Sequence, residues 1–547
     1  MSMDIGVDNF DKFLPVILQD IKNCSFISID LEFTGLLSDS SFRRSLLDSA
    51  DSLYEKEAKN LENISVCQIG LSIFKGLKDI NSYYVSTYNI YIRPRELLSI
   101  DDRILWQTSS LDFLRMCNFN YNKWLCEGVP CLREDQESEV RKLFSQFLSD
   151  DFNGFMFPKE VIQKLKDVKK WAQVSEVGSE REVELFNASW VLLFFVRLIS
   201  TELNVKASYI KDTKVSLTLV ESFEEENLKE EALRTFEVVV DQSKGFVKIF
   251  NELGKAKVPI IFHNGWLDLL LIYKQFYKSL PKTFSVFCRD IHEKFPLVYD
   301  TKQLAFKLGV KVKENRFGNE NRNLDEERFL IDTSLMGVKR DLDNHKSTLF
   351  RPQIIHSSDT PKYSDGTEYL HEAGYDSFIT GYCFLHLSHI YEMLQYESAK
   401  FHRPLSPREL TLSMKEWSNE IPIQRAGVNY VTLDGRPVKM KTNSWYVVET
   451  RNPFRRITPE IVASSLNLFG SLDIVQRNKR SVILIAHRRS VMNDILRVLR
   501  DDNNFSVTKY NSVRHSTIVR SLAWSCALLS TGFSTWCLVK GYKIAAC

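Results

Sequence analysis

Two carboxylates stand where a buried strand is expected. The stretch "FISIDLEFTGL" (26–36) sets Asp30 and Glu32 in an otherwise apolar run. As a strand it places Ile27, Ile29, Leu31 and Phe33 on one face and Ser28, Asp30, Glu32 and Thr34 on the other. Two like charges on one face repel, and they resist burial unless a cation lies between them. A metal site would answer both problems, but it needs further oxygen ligands from elsewhere. Asp268 in "HNGWLD" and Asp376 in "HEAGYD" each fall in the first turn of an expected helix, the former behind Asn264 as cap. The helix dipole alone favours Asp there, so either residue taken singly is equally a capping or solvated group. Carboxylate oxygens suit Mg²⁺ or Mn²⁺, and no Cys/His cluster is present to favour zinc.

Those side chains need elements to position them. "FISIDLEF" (26–33), "SVCQIGLSIF" (65–74) and "YYVSTYNIYI" (83–92) predict an antiparallel meander following the first strand. Residues 38–61 read as polar helix. "VPIIFHN" (258–264) predicts a strand leading into the helix "GWLDLLLIYKQFY", and 371–398 predicts a longer helix. Residues 151–240 change character, reading as helix through "WVLLFFVRLI", then strand, then the acidic run "EEENLKEEAL"; a small α+β insertion is expected. "VKENRFGNENRNLDEERF" (312–329) is a polar loop by composition. Beyond "KFHRPLSPREL" the order "WYVVET", "TPEIVASSLNLF", "LDIVQR", "SVILIAH", "SVMNDILRVLR", "FSVTKY" is βαββαβ, the order of ferredoxin-like and RNA-recognition-motif folds.

Composition sets the frame. A chain of 547 residues exceeds one ordinary core, so several domains are expected. The formal charge of +2 neither favours nor excludes a nucleic-acid partner, because local patches matter more. Ten cysteines without a Cys-x-x-Cys pair point to reduced thiols rather than zinc or disulfides. The acidic N-terminus lacks the basic region of a secretory signal. Residues 521–539, "SLAWSCALLSTGFSTWCLV", carry no charge and would form a helix about 28 Å long, near the ~30 Å hydrocarbon core. Six Ser/Thr residues make its hydrophobicity marginal. The expectation is a membrane tail anchor, with an amphipathic or buried helix as the alternative.

The combination of motifs is more specific than any one. "DLEFTGL", "FNYNKWLCEGVP" (119–130), "HNGWLDLLLIYKQFYKSLP", "YDTKQLA" (299–305) and "HEAGYDSFITG" together resemble the DEDD exonucleases, and within them the PARN (poly(A)-specific ribonuclease) family, over residues 26 to about 395. Cys131 departs from the aromatic common after "G-hydrophobic-Pro". The resemblance implies an α/β, ribonuclease-H-like core (a mixed sheet flanked by helices) and two divalent ions, Mg²⁺ or Mn²⁺, held by Asp30, Glu32, Asp268 and Asp376. Two such ions about 3.5–4 Å apart would stabilise the attacking and leaving oxygens of a phosphodiester displacement. It further implies His371 as the base, as in the His-type subgroup. A Tyr-type site would need Tyr four residues before Asp376, where Glu372 stands; Tyr375 is merely adjacent. His263 is read as an orienting residue, and Asp300 as a helix cap or supporting residue.

The expected organisation is nuclease core at 1–150 and 241–400, inserted domain at 151–240, RNA-recognition-motif-like domain at 401–510, and tail at 511–547. The Arg-x-x-x-His signature of the family's inserted nucleic-acid-binding domain is missing, since no His precedes His263. "SVILIA" lacks stacking aromatics, leaving Tyr446 as the stacking candidate, while "RNPFRR" (451–456) and "HRR" (487–489) could hold phosphates. These features resemble the membrane-tethered, PARN-like-domain branch that trims pre-piRNA 3′ ends. They imply a 3′→5′ exoribonuclease releasing 5′-mononucleotides from single-stranded RNA. The implied partners are a PIWI-class protein and a membrane-bound adaptor, Tudor-type among the candidates. The implied place is the cytosolic face of the mitochondrial outer membrane, or alternatively the endoplasmic reticulum. A poly(A) deadenylase is the alternative within the class, and a catalytically silent RNA- or PIWI-binding scaffold the alternative outside it.

Overall fold

The structure is a computed structural model. It describes residues 4–536 apart from 78–80, 102, 150–155, 212, 223, 316–328, 346–350, 359–360, 364–366, 396–403, 443, 453, 471, 487, 512, 514, 516–518, 520–524, 527 and 533. The chain divides into two compact units. One comprises 1–42, 57–422 and 432–436, and the other 43–56, 423–431 and 437–547.

The first unit is built on a mixed sheet. Strands β1 (Phe26–Phe33), β2 (Val66–Gly76) and β3 (Ser82–Tyr91) form the antiparallel meander that their β-branched and aromatic residues predict. β4 (Ile260–Phe262) joins β1 in parallel, and β5 (Val298–Asp300) joins β4. The short strands Asp4–Ile5 and Gln353–His356 both run parallel to β3; segments of two and four residues carry too little periodicity to be predicted. Four helices bear on the site: α1 (Thr108–Met116), α2 (Trp266–Ile272), α3 (Thr301–Asn315) and α4 (Ala373–Gln395). This is an α/β core, a mixed sheet with flanking helices, as a ribonuclease-H-like fold requires.

Helix α4 crosses β1 and β2 at close range because the facing residues are small. Gly381 lies against the Phe74 ring, where an added Cβ would come within 2.2 Å. Ser28 donates its hydroxyl to the Ser377 carbonyl at 2.7 Å, and the Ser72 and Ser377 hydroxyls lie 2.8 Å apart. All three serines are fully buried, so each bond answers a group whose orphaning would cost about 1–3 kcal/mol.

The inserted segment carries helices Lys159–Val174, Ala188–Ile199 and Glu225–Lys244 around a three-stranded antiparallel sheet of Glu180–Glu184, Lys214–Leu219 and Val205–Lys211. Glu180–Glu184 interrupts the expected helical run. Gly178, at φ 90°, turns the chain into it, and "EREVE" buries only Val183 between exposed glutamates. Helix Glu134–Leu148 shares this core, with Phe144 stacked on Phe236 at 4.2 Å.

In the second unit, β6 (Tyr446–Thr450), helix α5 (Pro459–Ser465), β7 (Leu472–Asn478), β8 (Ser481–Ala486), helix α6 (Arg489–Asp501) and β9 (Phe505–Lys509) follow in βαββαβ sequence. The sheet order is β7-β8-β6-β9, antiparallel throughout. Val448, Val482 and Leu484 face Val462, Ile495 and Leu499 in its core. Tyr446 packs on this core side, so it is not the outward stacking residue expected of it.

The C-terminal expectation is corrected. Among the described residues no helix is long and apolar enough to cross a membrane. Six of the nineteen residues in 521–539 are Ser or Thr. Thr531, Ser534 and Thr535 turn their hydroxyls back onto carbonyls of the preceding turn at 2.7–2.9 Å. Residues 521–524, 527, 533 and 537–539 lie outside the described set, as do 316–328 of the expected polar loop. The tail anchor is thereby overturned. With it go the mitochondrial or endoplasmic-reticulum placement and the partner set of PIWI-class protein, Tudor-type adaptor and membrane that assumed a tethered enzyme.

Candidate active site

β1 delivers the first two carboxylates. In its register with β2, Ser28 faces Ser72, Asp30 faces Gly70 and Glu32 faces Gln68. Asp268 stands in the first turn of α2 and Asp376 in the first turn of α4, which the helix dipole favours. Glu32, His371 and Asp376 present ligand atoms within 4.8 Å of one another. Asp30 and Asp268 lie outside that trio but within electrostatic reach: Asp268 raises the proton affinity of both Asp30 and Glu32, and Asp376 and Glu32 raise that of Asp30.

The charges are unbalanced. Burial, then the fields of Asp376, Asp268 and Glu32, push the Asp30 carboxyl well above the usual carboxylate range. Burial and then Asp376 and Asp268 do the same for Glu32. Asp268 and Asp376 are each pushed up to about 7, mainly by burial. Among the described residues no Lys or Arg forms an ion pair with any of the four. Converging hard oxygen donors that lack a protein cation fit a divalent metal, and Glu32, His371 and Asp376 form one cluster able to coordinate it.

His371 sits just before α4, at φ 60°, in the left-handed region that non-glycine residues enter rarely. Its N–H donates to Asp376 Oδ2 at 3.2 Å, which ties the turn to the carboxylate. The side chain is half-exposed, and partial burial lowers its pKa, so the ring is mostly neutral at pH 7. Phe113 of α1 meets the ring edge-on at 4.8 Å. The geometry thus gives His371 a place from which it could coordinate a metal together with Glu32 and Asp376.

Other residues that sequence reasoning picked out have supporting parts. Asp300 is fully buried and accepts the N–H groups of Gly265 (2.8 Å), Lys302 (3.0 Å) and Gln303 (3.3 Å), capping α3 while holding the turn before α2. His263 shares a 2.8 Å hydrogen bond with the Thr301 hydroxyl, and burial pushes its pKa down to about 3. Tyr375 is buried beside Tyr363 and Tyr369. Glu372 is held by Lys362, at 2.7 Å to both oxygens, and by the Tyr363 hydroxyl. Cys131 is buried against the Gln275 amide, 3.7 Å away.

Sequence reasoning missed the residues that seat α4. Gln68 Oε1 accepts the Ala373 N–H at 3.1 Å, and Asn89 Oδ1 accepts the Gly374 N–H at 3.1 Å. These are two of the orphan donors at the N-terminus of α4. Gln68, Gly70 and Ser72 recur every second residue in "CQIGLS", a polar or small stripe that was available as a signal.

The chain is similar to known ribonucleases. Residues 5–384 match the CAF1 family ribonucleases. The chain is 25% identical to the pre-piRNA 3′-exonuclease trimmer of Bombyx mori over 548 aligned positions, covering 99% of each chain. It is 26% identical to the poly(A)-specific ribonuclease PNLDC1 of Mus musculus, covering 97% of this chain and 98% of the other. Among solved structures, the RNase domain of the yeast Pop2 protein matches with a TM-score of 0.32 at 16% identity, over 71% of this chain and 86% of that one.

Proposed function

The chain belongs to the CAF1 family of ribonucleases, as a PARN-like DEDD exonuclease, and from that premise we propose that it trims single-stranded RNA 3′ ends, pre-piRNA 3′ ends above all. The observation that carries the chemistry is the convergence of Glu32, His371 and Asp376 within 4.8 Å, with Asp30 and Asp268 in electrostatic reach and no described cation pairing with the carboxylates. The substrate class is supported by the end-to-end match to the Bombyx mori trimmer. In this reading Asp30, Glu32, Asp268 and Asp376 would hold two Mg²⁺ ions, with Mn²⁺ able to substitute. Such ions, when bound, neutralise the charge that develops on the phosphodiester oxygens.

The chain's own groups do the rest. Neutral His371 accepts a proton from the attacking water. The water oxygen forms a bond to the terminal phosphorus while the bond to the preceding 3′ oxygen breaks, and that oxygen takes a proton from solvent. A nucleoside 5′-monophosphate leaves, and the shortened chain keeps a 3′ hydroxyl. Phe113 and the Asp376 hydrogen bond hold His371 in place for each cycle.

The test is to incubate purified protein with 5′-labelled mixed-sequence RNA and with oligo(A), in Mg²⁺ and in chelator. Stepwise shortening of both, lost in chelator, is expected. Shortening confined to oligo(A) would turn the reading to a poly(A) deadenylase. Binding without any shortening would turn it to a silent scaffold.

A further inference from the structure

The β7-β8-β6-β9 sheet has the order of an RNA-reading sheet, but its outward face is covered in part. Val447 (0% exposed) and Ile485 (5%) lie on that face, opposite the core side of Val448 and Leu484, and are buried nonetheless. Asp473, on the same face, accepts the Leu46 N–H at 2.8 Å and the Arg425 guanidinium at 3.1 Å. Arg477 beside it donates to the His515 carbonyl at 2.6 Å. The strand register leaves no aromatic within β6–β9 on this face.

One edge of the unit is different. The loop between β6 and α5 carries Phe454, 95% exposed, followed by exposed Arg455 and Arg456. The β7–β8 turn, with exposed Lys479 and Arg480, is fastened beside it: Thr450 N–H donates to the Arg480 carbonyl at 3.1 Å, and Ile457 N–H to that of Lys479 at 3.3 Å. Arg451 braces the loop, its N–H on the Asn504 carbonyl (2.9 Å) and its Nε on that of Phe505 (2.8 Å). Arg455 Nη1 donates to an amide oxygen, Asn504 Oδ1 at 3.3 Å. None of Arg455, Arg456, Lys479 and Arg480 forms an ion pair with a described carboxylate.

We propose that this edge binds single-stranded RNA, the four cations holding phosphates and Phe454 stacking on an unpaired base. This rests on RNA being the substrate, and it adds a second foothold for it. A lone ring rising among guanidinium and ammonium groups suits a strand whose bases are free to stack, whereas a duplex hides those faces. The contact reads no sequence, because every base offers a π-face.

The experiment uses the full chain in chelator, which stops turnover, and follows the anisotropy of a labelled mixed-sequence single strand over a salt series. The triple variant Arg455→Ala, Arg456→Ala, Lys479→Ala is expected to bind about tenfold or more weakly, with a log–log salt slope shallower by about 2. Phe454→Ala is expected to weaken binding about tenfold, and Phe454→Trp to keep it. All these side chains are exposed, so an unchanged melting temperature accompanies the loss. Unchanged affinity in the triple variant would overturn the proposal. So would a loss seen only with duplex RNA or with phosphatidylserine vesicles. Nucleotide release by the unmodified chain in Mg²⁺ is measured in parallel. Binding that fails in the variants while release fails in the parent refutes the exonuclease reading and leaves this site standing. Release without any contribution from the loop does the reverse.

Discussion

Gly70 of β2 lies so close beneath Ala373 that a Cβ added to it would sit 1.7 Å from the Ala373 carbonyl oxygen. Gly70 is also the cross-strand partner of Asp30. One missing side chain therefore sets how near the turn holding His371 and Asp376 can come to the strand holding Asp30 and Glu32.

Gly70→Ala should separate the two halves of the site. Backbone opposes the added methyl, so the chain must shift, at a stability cost of about 1–3 kcal/mol or more. The expected outcome is a lower melting temperature together with a loss of trimming larger than the loss of folded protein. Calorimetry and single-turnover shortening at a temperature where the variant is folded check it. Unchanged turnover would mean that the close approach has no part in the chemistry.

Removing a carboxylate tests the proposed ligands. Glu32→Ala should lower the trimming rate by about 10³-fold or more, by analogy with other preorganised electrostatic groups. It should leave the fold intact, because it relieves repulsion from Asp376 and Asp268. Circular dichroism and shortening assays in Mg²⁺ decide; normal trimming would refute the assignment.

Protons and metal should compete for the site. The carboxyls of Asp268 and Asp376, each raised to about 7, bind protons more tightly in the folded than in the unfolded chain. Their contribution to stability is complete below about pH 4, the unfolded value, and is lost as pH rises through about 7. In chelator the melting temperature should therefore fall by at least about 2 °C between pH 5 and pH 8. Millimolar Mg²⁺ should restore it at pH 8, where the carboxylates are free to bind metal, and have little effect at pH 5. Asp30→Asn should flatten both responses. A metal-independent melting temperature at pH 8 would count against the site.

His371 and its support should differ in degree. His371→Ala should slow shortening by about 10²–10⁴-fold, as expected for loss of a general base. Gln68→Ala, which frees the Ala373 N–H at the head of α4, should cost about 10–100-fold, as for outer groups that orient ligands. Single-turnover rates against RNA concentration separate these effects: both variants should lower the maximal rate more than they raise the half-saturating concentration. A change confined to the latter would place the two residues in binding alone.

Much of the nuclease was legible in one dimension. Alternation in "FISIDLEF" predicts both the strand and the face that carries Asp30 and Glu32, because side chains two apart must share a side. The meander followed from β-branched and aromatic runs, and Asp268 and Asp376 stood in the expected first turns. These are local regularities, set by backbone geometry and near neighbours. The marginal tail misled for the same reason: a run without charges reads as a membrane span, whereas among the described residues no helix is long and apolar enough to be one.

Tertiary structure decided the rest. Only the packing of α4 on β1 and β2 brings Glu32 within 4.8 Å of His371 and Asp376, across more than half the chain. Only the packed sheet explains why Gln68, Gly70, Ser72 and Asn89 are what they are, since their partners lie some three hundred residues away. Only packing turned Tyr446 inward and covered Val447 and Ile485 on the other face of the second sheet. A sequence states which groups each residue can offer; burial and close approach, which no local pattern encodes, determine the groups it meets.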